Sequence, residues 1–125
     1  MGYDKVNLGD VTDQAAEHGF GELQEARFPR GEVGLAASGL AHIRVKPGQR
    51  QPFAHKHAEA EEVHVILAGS GTMKIDEERL AVGARDVIRV DATSARAFEA
   101  GDDGLEYVVF SPRHEGDAEI VNDFW

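Results

Sequence analysis

The chain has 125 residues, no cysteine and a formal net charge of −10. That length suits one domain with one modest core, and a hydrophobic share of 42% speaks for a folded domain over a disordered one. The missing cysteines exclude disulfides, thiolate zinc sites and cysteine nucleophiles, and an acidic surface repels phosphate backbones, so no nucleic-acid partner is expected.

No apolar run reaches the length of a membrane span, and the first ten residues lack the basic-then-apolar order of a secretory leader. The expectation is a soluble, cytoplasmic protein with no membrane partner. Taken in chain order, residues 1–35 offer only a short helix within Asp10–Phe20, capped by Thr12 or Asp13 and ended by Gly19. Leu40–Lys46 alternates, with Ala41, Ile43 and Val45 on one face and His42, Arg44 and Lys46 on the other. Further strands are expected at Glu62–Ala68, Gly71–Asp76, Glu77–Val82, Asp86–Val90, Arg96–Ala100 and Leu105–Ser111, with a turn over Ala100–Gly104. Many short strands punctuated by glycine describe an all-β sandwich or barrel.

Two stretches carry the chemistry. Alternation along Glu62–Ala68 sets Glu62, His64 and Ile66 on one face and Val63, Val65 and Leu67 on the other. The second face is wholly apolar and needs a cover: another sheet, the N-terminal segment or a second subunit. Upstream, His55 and His57 stand two apart, so an extended backbone points both imidazoles the same way. Two imidazoles from one strand and the Glu62 carboxylate from the next can converge on one point. That is the ligand set of a facial metal site with open positions, suited to Fe, Mn, Ni, Co or Zn and less to Ca or Mg.

The stretch Gly48–Gly69 resembles the first motif of the cupins: a glycine, a spacer, His55-Lys56-His57, four residues, Glu62, six residues and Gly69. Its first spacer is one residue longer than is usual in that family. The resemblance implies a cupin-type double-stranded β-helix, a jelly-roll barrel, over residues 36–125 with a C-terminal tail. Residues 1–35 are then an N-terminal segment packing on the barrel or on a partner subunit. It also implies a homodimer, since small cupins commonly pair through such sheets. The second cupin motif corresponds to Arg85–Ala100, and there the pattern departs: Arg96 stands where the family's fourth ligand, a histidine, is usual.

Two readings of the site stand side by side. In one, His55, His57 and Glu62 hold a divalent transition metal, Arg96 anchors an anionic group of a small organic ligand, and His64 replaces the lost ligand or moves a proton. In the other, Arg96 takes the metal's place, pairs with Glu62 and anchors an anionic ligand in a metal-free binding module. A guanidinium about 4 Å from an ion repels it by on the order of 4 kcal/mol at a moderate effective dielectric. His18, His42 and His114 have no partner spacing and read as surface residues, and the tail Glu119–Trp125 ends in two aromatics expected to dock.

Overall fold

The computed structural model describes residues 2–113 and 116–125; His114, read from the sequence as a surface residue, lies outside them. The N-terminal helix is shorter than the sequence window. A 3-10 turn, Leu8–Asp10, precedes α1, Gln14–Glu17. Asp13 caps α1 by accepting from the Ala15 and Ala16 amides, and the same oxygen accepts from Ala26 at 2.9 Å. That last bond ties the helix to β1, Gln24–Arg27, a strand with no β-branched residue and hence no sequence signal. Pairing holds it instead, from Gln24↔Val45 to Arg27↔His42.

The remaining strands are β2 (Ser38–Val45), β3 (Ala54–His57), β4 (Glu62–Ile75), β5 (Glu78–Gly83), β6 (Val87–Val90), β7 (Arg96–Pro112) and β8 (Ala118–Val121). All named pairings are antiparallel. Two pairs of expected strands are each one long strand. Glu62–Ala68 and Gly71–Asp76 fuse into β4, and Arg96–Ala100 and Leu105–Ser111 fuse into β7. The expected turn at Ala100–Gly104 is therefore corrected. Gly71 pairs with Ala100 and Gly69 with Leu105, so Gly101–Gly104 bulge out while both flanks stay on β4. Gly69 permits this bend: its φ is +80°, and a Cβ there would lie 2.0 Å from the Gly104 carbonyl oxygen.

The bends divide both long strands and curl the sheet into two facing halves. One half runs β1, β2, the C-terminal part of β7, the N-terminal part of β4, and β6; the other runs β8, β3, the N-terminal part of β7, the C-terminal part of β4, and β5. Val45, Ile66, Met73, Val90, Phe98 and Leu105, drawn from both halves, fill the space between them. This is the jelly-roll barrel expected from the sequence. Among the described residues no helix is long and apolar enough to cross a membrane.

Ala41, Ile43 and Val45 of β2 are buried as their alternation predicts. His42, read as a surface residue, is buried too, with 8% of its surface exposed. It lies between β1 and β7, and its Nε2 is 2.7 Å from Glu106 Oε2. A partner on a distant strand, invisible to local spacing, meets that nitrogen, while Nδ1 is buried without a hydrogen-bond partner among the described residues; His18 is exposed, in line with its reading. At the C-terminus β8 pairs with β3. The Trp125 ring lies under the Arg50 and Arg79 guanidiniums at 4.8 and 5.6 Å. The Phe124 ring lies 4.3 Å from Lys74 Nζ, which donates to the Phe124 carbonyl.

Candidate metal centre

β3 is extended, so His55 and His57 share its inward face as the two-residue spacing predicts. Their ring centroids are 5.1 Å apart and nearly perpendicular. Glu62 opens β4, and its burial pattern alternates from the first residue: Glu62, His64 and Ile66 are buried, Val63 and Val65 half-buried, Leu67 exposed. The four-residue link Ala58–Glu61 joins the two strands. It brings His55 Nε2 to 3.1 Å from Glu62 Oε1 and His57 Nε2 to 3.3 Å from Glu62 Oε2. Each imidazole thus faces a different oxygen of one carboxylate.

One donor atom from each of His55, His57 and Glu62 lies within 4.8 Å of the others, close enough to hold a metal ion. Donors about 2.1 Å from a shared ion stand roughly 3 Å apart when adjacent, which the two histidine–glutamate separations match. His57 and Glu62 side chains are 5% and 9% exposed, whereas His55 is 38% exposed. The focus is therefore most open to solvent on the side of His55. Borderline imidazole nitrogen with one carboxylate oxygen is a donor set for first-row transition ions, so these residues fit the group that the sequence resemblance implies.

Arg96 opens β7 directly opposite His55, so both side chains lie on one face of the pair. It is 1% exposed. Its Nη1 is 3.7 Å from Glu62 Oε1, and its Nη2 donates to the Asp91 carbonyl at 2.8 Å. Its Nε and Nη1 have no hydrogen-bond acceptor. Burial lowers the pKa of this guanidinium, and the charges of Glu62 and Asp76 oppose that. Two buried, unmet N–H groups are costly, because an unsatisfied buried donor loses its hydration without return.

His64 is 1% exposed, with Nε2 3.9 Å from Glu62 Oε1 and Nδ1 3.4 Å from the Ile88 carbonyl. Its ring packs against Phe98 and Tyr107 at 5.6 and 5.8 Å. Both aromatics were without a role in the sequence reading, as was Gln51, whose Nε2 donates to the Tyr107 hydroxyl. Asp117, immediately before β8, was missed as well: its carboxylate reaches the link Ala58–Ala60 and lies 3.7 Å from His57 Nδ1. No local signal marks these residues, because only the folded register brings them to the site.

Burial raises the pKa of Glu62, but the hydrogen bond with His55 and the charges of His55, His64 and His57 together outweigh it and hold the carboxyl at about 2. Burial pushes His64 down to about 4 from 6.5. An unfolded chain takes up the His64 proton below pH 6.5, and the folded chain refuses it until about 4. Stability is therefore complete above that window and falls as pH drops through it, by on the order of 3 kcal/mol. Urea unfolding of chelator-treated protein between pH 7 and 4 is expected to show this slope, and His64→Gln to flatten it. Parallel slopes for the two proteins would rule His64 out as the cause.

The barrel closed by two bent strands, with a His–His–carboxylate focus inside, defines a jelly-roll protein with a candidate metal centre. The cupin domain profile matches residues 41–111, and the chain belongs to that family. No curated protein matches the sequence. Among solved structures, a cupin protein from Bacteroides fragilis is similar at 20% identity and a TM-score of 0.73, over 93% of this chain and 88% of that one. The polyketide cyclase RemF from Streptomyces resistomycificus is similar at 19% identity and 0.74, over 97% and 85%. A sugar phosphate isomerase of the cupin superfamily from Silicibacter pomeroyi is similar at 15% and 0.71, over 95% and 92%.

Proposed function

We propose that the protein binds a divalent transition metal through His55, His57 and Glu62 and takes a small, anionic organic ligand beside it. The observation that carries this is the mutual approach of the three donor atoms within 4.8 Å. When bound, the ion supplies Lewis-acid or redox capacity at open positions. Arg96 anchors the ligand's anionic group with its unmet N–H groups, and neutral His64 lines the same wall. The similar folds include a cyclase and a sugar phosphate isomerase, so the barrel accommodates differing chemistries and the ligand's identity rests with the pocket.

A second reading draws on the 3.7 Å approach of Arg96 Nη1 to Glu62 Oε1. In it the guanidinium occupies the ion's place and the protein is a metal-free module for small anions. Elemental analysis of untagged protein separates the two: near one Fe, Mn, Ni, Co or Zn per chain is expected. A metal-free preparation that also takes up none of these ions when supplied would leave the second reading.

We further propose a cytoplasmic homodimer paired through the outer face of β4, β6 and β7. Val63 pairs with Phe110 and Val65 with both Val108 and Val87. Val87 is 65% exposed and Phe110 47%, which leaves a contiguous apolar surface of the kind that marks an interface. Sedimentation at micromolar concentration is expected to give twice the chain mass, and Val87→Glu to give the single-chain mass. Wild-type protein sedimenting as one chain would end the dimer proposal.

A further inference from the structure

We propose that Asp117 is a positioning residue for the metal centre, holding His57 so that its Nε2 is presented to Glu62 and to the ion. This rests on the reading of His55, His57 and Glu62 as a metal site. The Asp117 side chain is 7% exposed, as buried as the His57 side chain at 5%. Oδ2 lies 3.7 Å from His57 Nδ1, the ring nitrogen turned away from Glu62, while His57 Nε2 lies 3.3 Å from Glu62 Oε2. The imidazole is thus bracketed by two carboxylates, one at each nitrogen.

The same Asp117 carboxylate accepts hydrogen bonds from the backbone amides of Ala58, Glu59 and Ala60. Those residues form the link between β3, which carries both histidines, and β4, which opens with Glu62. One buried side chain therefore fixes the relative placement of the two ligand-bearing strands and faces one of the ligands. The strand that follows it lies alongside β3, from His57↔Ala118 to Ala54↔Val121, so Asp117 enters the site from the far end of the sequence.

The chemistry follows from the two ring nitrogens. A neutral imidazole carries one N–H and one lone pair, and the partner of one nitrogen selects the role of the other. Glu62 beside Nε2 draws the proton to that nitrogen, and Asp117 beside Nδ1 offsets the pull, so that the Nε2 lone pair is freed for an ion while Nδ1 keeps the proton. Carboxylates so placed orient the ring and raise its basicity as a ligand, and their loss typically weakens metal binding ten- to a hundredfold.

The test is titration of full-length, chelator-treated protein with Co²⁺, read by visible absorption, for wild type, Asp117→Asn and Asp117→Glu. Asp117→Asn is expected to lower affinity ten- to a hundredfold, with Asp117→Glu, which keeps the charge, recovering part of the loss. Urea unfolding of each variant and of Trp125→Ala, which loosens the C-terminal tail away from the centre, controls for stability. Unchanged affinity in Asp117→Asn, or an equal loss in a Trp125→Ala protein of matched stability, overturns the proposal. Nitrogen shifts of His57 in metal-free protein, where Glu62 draws the proton to Nε2 and Asp117 draws it to Nδ1, provide the independent readout: a larger Nδ1–H share in wild type than in Asp117→Asn. Wild-type protein that binds no Co²⁺ refutes the metal reading alone. The role of Asp117 then stands on a tautomer that changes with the substitution and falls on one that does not.

Discussion

Replacing Glu62 with alanine is expected to abolish transition-metal binding and to destabilise the metal-free fold by about 3–5 kcal/mol. Both effects come from its position at the middle of the site. Its oxygens lie 3.1 Å from His55, 3.3 Å from His57, 3.7 Å from Arg96 and 3.9 Å from His64. Removing the carboxylate takes away the anionic metal ligand and leaves the Arg96 guanidinium, 1% exposed, without its counter-charge. Breaking a buried pair from one side is costly for that reason. Glu62→Gln keeps the volume and the hydrogen-bonding shape but not the charge. It is expected to lose the metal with a smaller fall in stability, which separates ligation from packing. The measurements are Co²⁺ titration and urea unfolding of chelator-treated protein. An alanine variant with the wild-type urea midpoint would show that Arg96 does not depend on Glu62.

The parts of this molecule that were legible in the sequence are those fixed by short-range spacing. The pair His55 and His57 lies on one face because strand geometry repeats every two residues. The burial of Glu62, His64 and Ile66 against the exposed Leu67 follows from the same repeat. The motif from Gly48 to Gly69 identified the family because its anchors sit within one short stretch of chain. Long-range register hid the rest. Ala100–Gly104 has every mark of a turn, yet it is a bulge, since β4 remains the neighbour on both sides of it. His42 looked solvent-facing because Glu106, its partner at 2.7 Å, lies on a strand far along the chain. Gln24–Arg27 has no strand propensity and becomes one through β2 and the Asp13 bond to Ala26. Asp117 has no local motif at all, and only the pairing of β8 with β3 brings it to His57.

Arg96 is the point at which this chain departs from the family pattern, and it provides the sharpest electrostatic test. Arg96→His is expected to tighten metal binding at least a hundredfold. The guanidinium lies opposite His55 and 3.7 Å from Glu62 Oε1, so an ion held by those two residues lies close to a fixed positive charge. At about 4 Å and an effective dielectric near 20 the repulsion is about 4 kcal/mol, and each 1.4 kcal/mol is tenfold in affinity. Histidine at this position removes the charge and adds an imidazole on the inward face of β7. Arg96→Met removes the charge without adding a donor and is expected to fall between the two. Arg96→Lys keeps the charge and is expected to bind as weakly as wild type. The same substitutions act oppositely on small carboxylates, whose binding is expected to fall in both the histidine and the methionine variants, because the unmet N–H groups at Nε and Nη1 are the proposed anchor. Chelator-competition titration for the ion and calorimetry with a small carboxylate measure the two arms. Equal ion affinity in Arg96→Met and wild type would mean that the guanidinium does not oppose the ion, and the electrostatic account of this site would fall with it.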